Sequence, residues 1–303
     1  MEWGRIYGVY PPIVTPLTAK EELDVSGLER QIERLIAAGV HGIYLLGTSG
    51  EGTTLRDPVR WQTVEEALRI VNGRVPLLAC VSDTSTERVL ENARRVRELG
   101  LSAIAVTPPY YYPAFDAREH RAFFERVAGE SGLAVFIYNI PATTKEMLSA
   151  ELIAQLAEVE NITGIKDSTG NWVHTVELLD RVRDREGFAV FIGSHVLAGP
   201  AILYGADGGV MSLANLDPVT CVRLYEAAVR RDLETLAECT FRLTRLGQIY
   251  KVAAQVPSLK TVLHWMGVCE PHVTHPLQLP DAEQSARLRK IVEELGLLEG
   301  VRQ

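Results

Sequence analysis

The sequence predicts an α/β fold: a (β/α)8 barrel of the TIM type with a C-terminal helical extension. Two features support this fold class. Eight short apolar runs recur along the chain, and segments with helical spacing of apolar residues lie between them. The 303 residues can bury one large core, and α/β barrels of roughly 250 residues form single domains.

The eight apolar runs predict the strands. Short apolar runs between turn-forming residues are typical of buried strands, and continuous rather than alternating runs indicate a parallel sheet that is covered on both faces. The runs are Val9–Thr15, Gly42–Leu46, Val75–Val81, Ala103–Thr107, Ala134–Tyr138, Ile162–Lys166, Ala189–Ile192 and Gly208–Ser212. Eight parallel strands are the number that closes a barrel.

The segments between these runs predict helices. Asp24–Ala38 carries an apolar stripe at helical spacing and stops before Gly39. The Asp57–Pro58 pair suits an N-cap and a first helical residue. The other helices predicted between strands are Asp57–Val71, Thr84–Leu99, Ser149–Val159 and Asn171–Arg185. An open, doubly wound sheet is the alternative, but no GxGxxG fingerprint follows the first strand.

Strand signals stop after Ser212, and helical patterns continue to the end of the chain. These patterns cover Asp217–Arg230, Leu233–Tyr250, Ser258–Met266 and Asp281–Leu297. One of these helices completes the barrel and the others pack outside it. We therefore expect a catalytic barrel over residues 1–225 and a helical region over residues 226–303, with no Gly-, Ser- or Pro-rich linker between them.

Composition narrows the class of function. A formal net charge of −8 argues against nucleic acid and anionic membrane surfaces as partners. The four cysteines form no CxxC pair, and no apolar run reaches the ~18 residues of a membrane span. We expect a reduced, cytoplasmic protein. His272 and His275 lie in a loop with no third ligand in view, so we expect no metal site there. We also expect no cofactor.

Lys166 is the first candidate for catalysis. Of the six lysines, it alone ends a predicted strand, and Asp167, Ser168 and Thr169 follow it immediately. TIM-barrel active sites lie at the carboxyl ends of the strands, and a desolvated lysine amine can attack a carbonyl carbon. The structural alternatives are a lysine that extends into solvent or one that pairs with Asp167.

The ends of other strands carry further candidates. The glycine-flanked Thr48 and Ser49 follow the second strand and suit a small carboxylate, although an ordinary loop is the alternative. Tyr138 ends the fifth strand, where its hydroxyl could move a proton or simply complete the core. Tyr110–Tyr112 form an aromatic cluster that suits packing or an interface, and His195 follows the seventh strand.

Three motifs together resemble the dihydrodipicolinate synthase / N-acetylneuraminate lyase family. They are Gly47–Glu51, Tyr138–Pro141 and Gly164–Asp167, and the resemblance runs from about Val9 to the C-terminus. It implies a TIM barrel with a C-terminal helical part and a homotetramer built as a dimer of dimers. It also implies class I aldolase chemistry without metal, in which pyruvate forms a Schiff base with a lysine of the sixth strand.

The resemblance assigns roles residue by residue. Lys166 corresponds to the Schiff-base lysine and Tyr138 to the proton-relay tyrosine. Thr48 and Ser49 correspond to the pair that binds the pyruvyl carboxylate, with Thr48 also in the proton relay, and Val210 lines the pyruvate site. Tyr111 best matches the tyrosine lent across the dimer interface, and Tyr110 is the alternative.

Departures from the lysine-pathway synthases favour another branch of this family. The position of the synthases' carboxylate-binding arginine holds Thr143, with Lys145 as the nearest base. Thr143, Gly193-Ser194 and the Tyr110–Pro113 run look like the 2-keto-3-deoxy sugar acid aldolases, whereas His195 replaces an acidic residue common in the family. We expect cleavage of such an acid to pyruvate and an aldehyde. The alternatives are the synthase reaction with aspartate semialdehyde, dehydration of a deoxy-oxo sugar acid, and a non-catalytic sensor.

Overall fold

The computed structural model describes residues 6–112 and 116–299, and over these residues eight strands alternate with helices in an α/β fold. The strands are β1 (Gly8–Val9), β2 (Ile43–Leu45), β3 (Leu77–Cys80), β4 (Ala103–Val106), β5 (Ala134–Asn139), β6 (Ile162–Asp167), β7 (Ala189–Ile192) and β8 (Gly208–Gly209). The helices up to β8 are α1 (Val25–Ala37), α2 (Asp57–Val71), α3 (Thr86–Glu98), α4 (Ala117–Ser131), α5 (Pro141–Thr144), α6 (Ala150–Leu156), α7 (Trp172–Val182) and α8 (Ala198–Leu203). Five more follow: α9 (Pro218–Arg230), α10 (Leu233–Leu246), α11 (Ile249–Val252), α12 (Gln255–Trp265) and α13 (Ala282–Glu294).

The chain divides into two compact units. The first comprises the segment that ends at Gly8 together with Leu77–Val210, and the second comprises Val9–Pro76 and the chain from Met211 onward. The sequence-based boundary between residues 225 and 226 lies within α9, and the division into a barrel and a helical region stays a prediction. In the described residues, no helix is long and apolar enough to cross a membrane.

In the first unit, β3 to β8 pair side by side in chain order, and every pair is parallel. Helices α3, α4, α6 and α7 contact one another in that order. Tyr138 lies opposite Lys166 in the register, and Lys166 lies opposite Phe191. Because parallel strands run in one direction, their carboxyl ends share one edge of the sheet, and the candidate residues at the ends of β5 and β6 lie there.

The second unit contains β2, the helices α1 and α2, and α9–α13. Helix α9 packs against α10 and against the 3₁₀ turn Ser212–Asn215, α1 packs against α2, and α13 packs against α10, α11 and α12. Two single-turn 3₁₀ helices, Thr48–Gly50 and Ser212–Asn215, belong to this unit. The first of them carries the predicted carboxylate-binding residues.

The observed bounds confirm most of the predicted elements. Strand β7 has the predicted bounds, and β5 and β6 each extend one residue further. The predicted strand Val9–Thr15 is wrong beyond Val9, where only an isolated bridge from Pro12 to Tyr44 continues the pairing. The reason is that proline has no N–H to donate and Pro11–Pro12 interrupts the run.

Some helices begin at residues other than the predicted ones. Helix α2 begins at Asp57 with Arg56 as its N-cap, so the predicted cap at Asp57 is wrong. Helix α12 begins at Gln255, three residues before the predicted Ser258. Pro257 is tolerated at the third helical position, because the N–H groups of the first four residues have no intrahelical acceptor and proline loses no hydrogen bond there. Helix α4 was not predicted, although its capping box between Asp116 and Glu119 is a recognisable start signal.

Gly164 allows β6 to pack closely beside its neighbours. A Cβ atom at this position would lie 2.4 Å from Phe136 Cζ and 2.6 Å from the main-chain oxygen of Ala189. We expect Gly164→Ala to lower the free energy of unfolding by about 1–3 kcal/mol through overpacking. The midpoint of chemical denaturation at a fixed protein concentration measures this effect.

Gly129 provides a matched control for this substitution. It lies within α4, and a Cβ atom there would meet nothing within 4 Å. Gly129→Ala should stabilise the protein by up to ~1 kcal/mol, because alanine has the higher helix propensity. Equal midpoints for the two variants would contradict the packing constraint at Gly164.

Candidate active site

Lys166 and Tyr138 lie side by side at the carboxyl ends of β6 and β5. The Lys166 Nζ atom lies 3.9 Å from the centre of the Tyr138 ring. The exposed fractions of the two residues are 4% for Lys166 and 3% for Tyr138. The lysine therefore does not extend into solvent, which excludes the first structural alternative. A primary amine and a phenol share one face of two neighbouring strands.

Asp167 is bound by the segment that follows it. Consecutive strand residues point to opposite faces, so the Asp167 side chain points away from the face of Lys166. Its Oδ2 accepts hydrogen bonds from Thr169 Oγ1 at 3.1 Å and Thr175 Oγ1 at 3.0 Å. His174 Nε2 lies 3.8 Å from Oδ1. Burial raises the pKa of Asp167 above its ordinary value, and His174 acts against this shift.

Asn139 joins this cluster from the end of β5. Its Nδ2 donates to the Leu148 carbonyl at 3.2 Å, and its Oδ1 accepts from Leu148 N at 3.2 Å. The same Nδ2 lies 3.5 Å from His174 Nε2. The buried cluster thus holds the segments that leave β5 and β6, directly after Tyr138 and Lys166. Sequence reasoning missed His174, because a histidine inside an amphipathic helix carries no local signal of this contact.

Gly193, Ser194 and His195 follow β7 in the same unit. The Gly193 N–H donates to the Asp167 carbonyl at 2.7 Å, and a Cβ at Gly193 would lie 2.0 Å from Ser168 Oγ. A side chain at Gly193 would therefore require the Ser168 side chain to move. Ser194 Oγ accepts from Leu197 N at 3.4 Å. Burial lowers the pKa of His195 below its ordinary value, which favours a neutral imidazole at pH 7.

Val210 and Thr143 lie in different surroundings. Val210 is 3% exposed and follows β8, where its N–H donates to the Ile192 carbonyl at 3.0 Å. Thr143 is exposed on the short helix α5, and its Oγ1 donates to the Ile140 carbonyl at 3.2 Å. Lys145 Nζ donates to the Ala142 carbonyl at 2.8 Å.

The tyrosine cluster after β4 is largely exposed. The exposed fractions are 78% for Tyr111 and 70% for Tyr112, whereas Tyr110 is half-buried. The rings of Tyr111 and Tyr112 meet edge to face at 5.1 Å. Tyr111 has a φ of 94°, which is uncommon for a residue with a bulky side chain. Pro113, the end of the predicted run, lies outside the described residues.

Thr48 and Ser49 lie in the second unit, on the 3₁₀ turn after β2. Thr48 is exposed, whereas Ser49 is 2% exposed. Ser49 Oγ accepts a hydrogen bond from Gln255 Nε2 at 3.0 Å. Gly52 follows the turn, and a Cβ there would lie 1.8 Å from the Leu46 carbonyl oxygen. The turn is thus tight and partly buried, as the glycine-rich pattern predicts, but Gln255 was not among the predicted site residues.

The described residues contain no group of three or more His, Cys, Asp or Glu side chains that could hold a metal ion. The His272 carbonyl accepts a hydrogen bond from Lys260, and His275 Nε2 lies 3.9 Å from Glu21 Oε1. The His272 contact thus uses the main chain, whereas the His275 contact uses the imidazole.

Comparisons with known proteins give matches over nearly the whole chain. A 4-hydroxy-tetrahydrodipicolinate synthase from Methanoculleus marisnigri is 29% identical over 291 residues, which are 95% of this chain and 99% of the relative. An uncharacterized DapA-like lyase from Thermofilum pendens is 32% identical and aligns with 97% of this chain and 99% of its own length.

A solved structure gives the same result. The E. coli K12 prophage protein YagE, of the dihydrodipicolinic acid synthase family and in complex with pyruvate, superposes with a TM-score of 0.92 at 29% identity. The superposition covers 96% of this chain and 99% of YagE. The family model of the dihydrodipicolinate synthetase family matches residues 5–295. Since the match spans almost the full length, this chain belongs to the dihydrodipicolinate synthetase family, whose members are lyases.

Proposed function

We propose that this protein is a class I lyase in which Lys166 forms a Schiff base with pyruvate. One observation carries the proposal: the Lys166 amine is buried against the Tyr138 ring, 3.9 Å from its centre, at the carboxyl end of a parallel strand. This is where α/β barrels carry their catalytic groups. The pyruvate complex of YagE is consistent with a keto acid substrate.

The amine and the phenol suit the steps of imine chemistry. The Lys166 nitrogen attacks the keto carbon of the substrate, and the carbinolamine that forms loses water to give an imine. Tyr138 donates a proton to the departing hydroxyl and takes one back in later steps. We propose that Thr48 and Tyr111 complete this proton relay, as the family resemblance implies. The imine needs no metal, because its nitrogen accepts the electron pair that bond cleavage releases.

Cleavage then follows from the imine. The hydroxyl on C4 loses a proton, the C3–C4 bond breaks, and an aldehyde leaves. The electron pair of that bond moves into an enamine on Lys166. Protonation at C3 restores the imine, and water hydrolyses it to pyruvate and free lysine. Each proton that is taken up is released again, so the reaction is balanced.

We propose that Thr48 and Ser49 bind the carboxylate of the pyruvyl group. The turn carries the hydroxyls of Thr48 and Ser49, and a hydroxyl is an ordinary donor to a small anion. Val210 would supply an apolar wall for the methyl group of pyruvate, because its side chain is buried and cannot hydrogen-bond.

We propose a 2-keto-3-deoxy sugar acid as the substrate. Thr143 is uncharged and exposed, so this position offers no cationic partner to a second carboxylate. A neutral His195 can both donate and accept hydrogen bonds, which suits sugar hydroxyls, and Gly193 and Ser194 lie beside it in sequence.

The second candidate is the 4-hydroxy-tetrahydrodipicolinate synthase reaction, in which pyruvate condenses with aspartate semialdehyde. The relative from Methanoculleus marisnigri carries this name. The same Lys166 chemistry would serve both reactions, and they differ in whether the second substrate brings a carboxylate.

We also propose a closed TIM barrel with a C-terminal helical extension, a cytoplasmic location and a homotetramer built as a dimer of dimers. The exposed Tyr111 supports the assembly, because a tyrosine lent to a neighbouring subunit must lie on the surface. Sedimentation equilibrium of the intact chain tests this assembly, and a monomeric mass would contradict it.

Lys166 is the lysine we expect borohydride to trap. Incubation with pyruvate and sodium borohydride should reduce the imine to a stable secondary amine, which peptide mass spectrometry locates. Lys166→Ala should abolish the adduct, whereas Lys145→Ala, at an exposed lysine, should leave it unchanged. An adduct on another lysine of the active protein would contradict the mechanism.

Substitution of Tyr138 should lower turnover more than it weakens pyruvate binding. Tyr138→Phe removes one hydroxyl and keeps the ring that contacts Lys166, so we expect turnover to fall by about 10²–10⁴-fold, the usual range for general acid–base catalysis. The pyruvate concentration for half-maximal trapping should change much less. Near-normal turnover would show that Tyr138 serves only in packing.

Thr143 should decide between the two candidate reactions. We expect aspartate semialdehyde to be a poor acceptor, because its carboxylate lacks a charge-assisted hydrogen bond of roughly 1.5–3 kcal/mol. Thr143→Arg should improve its use relative to glyceraldehyde, and Thr143→Gln, which adds length without charge, should not. Efficient use of aspartate semialdehyde by the unmodified protein would favour the synthase instead.

A further inference from the structure

Helix α12 contacts the Thr48–Glu51 turn at two points. Gln255, its first residue, donates from Nε2 to Ser49 Oγ at 3.0 Å. Lys260, five residues further on, places Nζ 2.5 Å from Glu51 Oε2. All four residues belong to the second unit. One helix therefore contacts both the Ser49 hydroxyl and the Glu51 carboxylate.

The Glu51–Lys260 pair anchors the turn. Glu51 is 4% exposed and Lys260 is fully buried. The other Glu51 oxygen accepts from Thr274 N at 2.7 Å and Thr274 Oγ1 at 3.0 Å. Lys260 Nζ also donates to the His272 carbonyl at 2.7 Å. Removing one partner of such a buried pair leaves an uncompensated charge and is strongly destabilising, so this pair fixes where the turn lies against α12.

The contact with Gln255 determines whether the Ser49 hydroxyl donates or accepts a hydrogen bond. A serine hydroxyl has one proton to donate and two lone pairs that accept. Because the Gln255 amide N–H occupies one lone pair, the Ser49 proton is not used in this contact and can be donated to another group. Ser49 is 2% exposed, so the hydroxyl has little competition from solvent.

We propose that Gln255 is a positioning residue for the carboxylate of the substrate: it holds Ser49 Oγ as an acceptor, so that the Ser49 proton points to a bound carboxylate. This role rests on the proposed function, in which Thr48 and Ser49 bind the pyruvyl carboxylate. Gln255 acts through Ser49 and need not touch the substrate. The buried Glu51–Lys260 pair keeps Gln255 and Ser49 within hydrogen-bond distance of each other.

The test uses the intact protein and pyruvate as the ligand. Gln255→Met keeps the length of the side chain and removes its donor. We expect the pyruvate concentration for half-maximal borohydride trapping at Lys166 to rise about 10-fold to 100-fold, the size of one lost charge-assisted hydrogen bond. The maximal extent of trapping and kcat should change little, because the carboxylate contact is made equally before and during reaction.

Gln255→Glu tests the direction of the hydrogen bond. An ionised carboxylate can only accept, so it takes the Ser49 proton away from the substrate and repels the substrate's own carboxylate. The half-saturating pyruvate concentration should be raised at neutral pH and should fall as the pH is lowered and the new carboxyl gains a proton. The unmodified protein should lack this pH dependence of pyruvate binding. A purely structural glutamine would not produce it.

One further background and one control variant isolate the role of Gln255. In Ser49→Ala protein, Gln255→Met should add no further loss, because the group it positions is gone. Gln248→Met is the matched control. Gln248 Nε2 donates to the Thr244 carbonyl, four residues earlier in the chain, so this substitution should leave pyruvate binding unchanged. Circular dichroism and the denaturation midpoint confirm that each variant is folded.

The outcomes separate this role from the proposed function. The unmodified protein could trap pyruvate at Lys166 while both Gln255 variants keep the same half-saturating pyruvate concentration. That result would overturn the positioning role and leave the Schiff-base mechanism intact. An equal effect of Gln255→Met with and without Ser49 would also overturn it. Failure to trap pyruvate at Lys166 in the unmodified protein would overturn the proposed function and this role together.

Discussion

The burial of the Lys166 amine against the Tyr138 ring is the contact on which the candidate chemistry depends. It follows from two neighbouring parallel strands in register, with the two residues opposite each other at the strand ends. Close strand packing around Gly164 brings β6 beside its neighbours two residues before the lysine. The buried cluster of Asn139, Asp167 and His174 then holds the segments that leave these strands. Strand pairing positions the amine, and polar contacts on the other face fix the chain after it.

Two lysines of the described chain, Lys166 and Lys260, are buried, and their surroundings suit different roles. Lys260 lies between the Glu51 carboxylate and the His272 carbonyl; burial lowers the pKa of Lys260, and Glu51 acts against this shift. Lys166 instead lies against an aromatic ring at a strand end. Burial alone therefore does not identify a catalytic lysine. The position of Lys166 at the carboxyl end of a strand is what makes it the candidate for catalysis.

The two groups of candidate residues differ in how they are held. Lys166 and Tyr138 lie on strands, where hydrogen bonds to both neighbours restrict the backbone. Thr48 and Ser49 lie on a single 3₁₀ turn that main-chain hydrogen bonds from Gly50 N and Glu51 N close, and Gln255 and the Glu51–Lys260 pair hold this turn against α12. A side chain on a turn needs such external support to keep the geometry that ligand binding requires.

The sequence by itself determined the α/β class, the order of the strands and the ends of β5 and β6 to within one residue, because continuous apolar runs and turn-forming residues are local signals. It misjudged the first strand where prolines interrupt the run. Only the tertiary structure showed that Gln255 contacts Ser49 and that Thr274 contacts Glu51, pairs separated by 206 and 223 positions along the chain. No local pattern encodes such pairs, since their contact arises only when distant segments pack together.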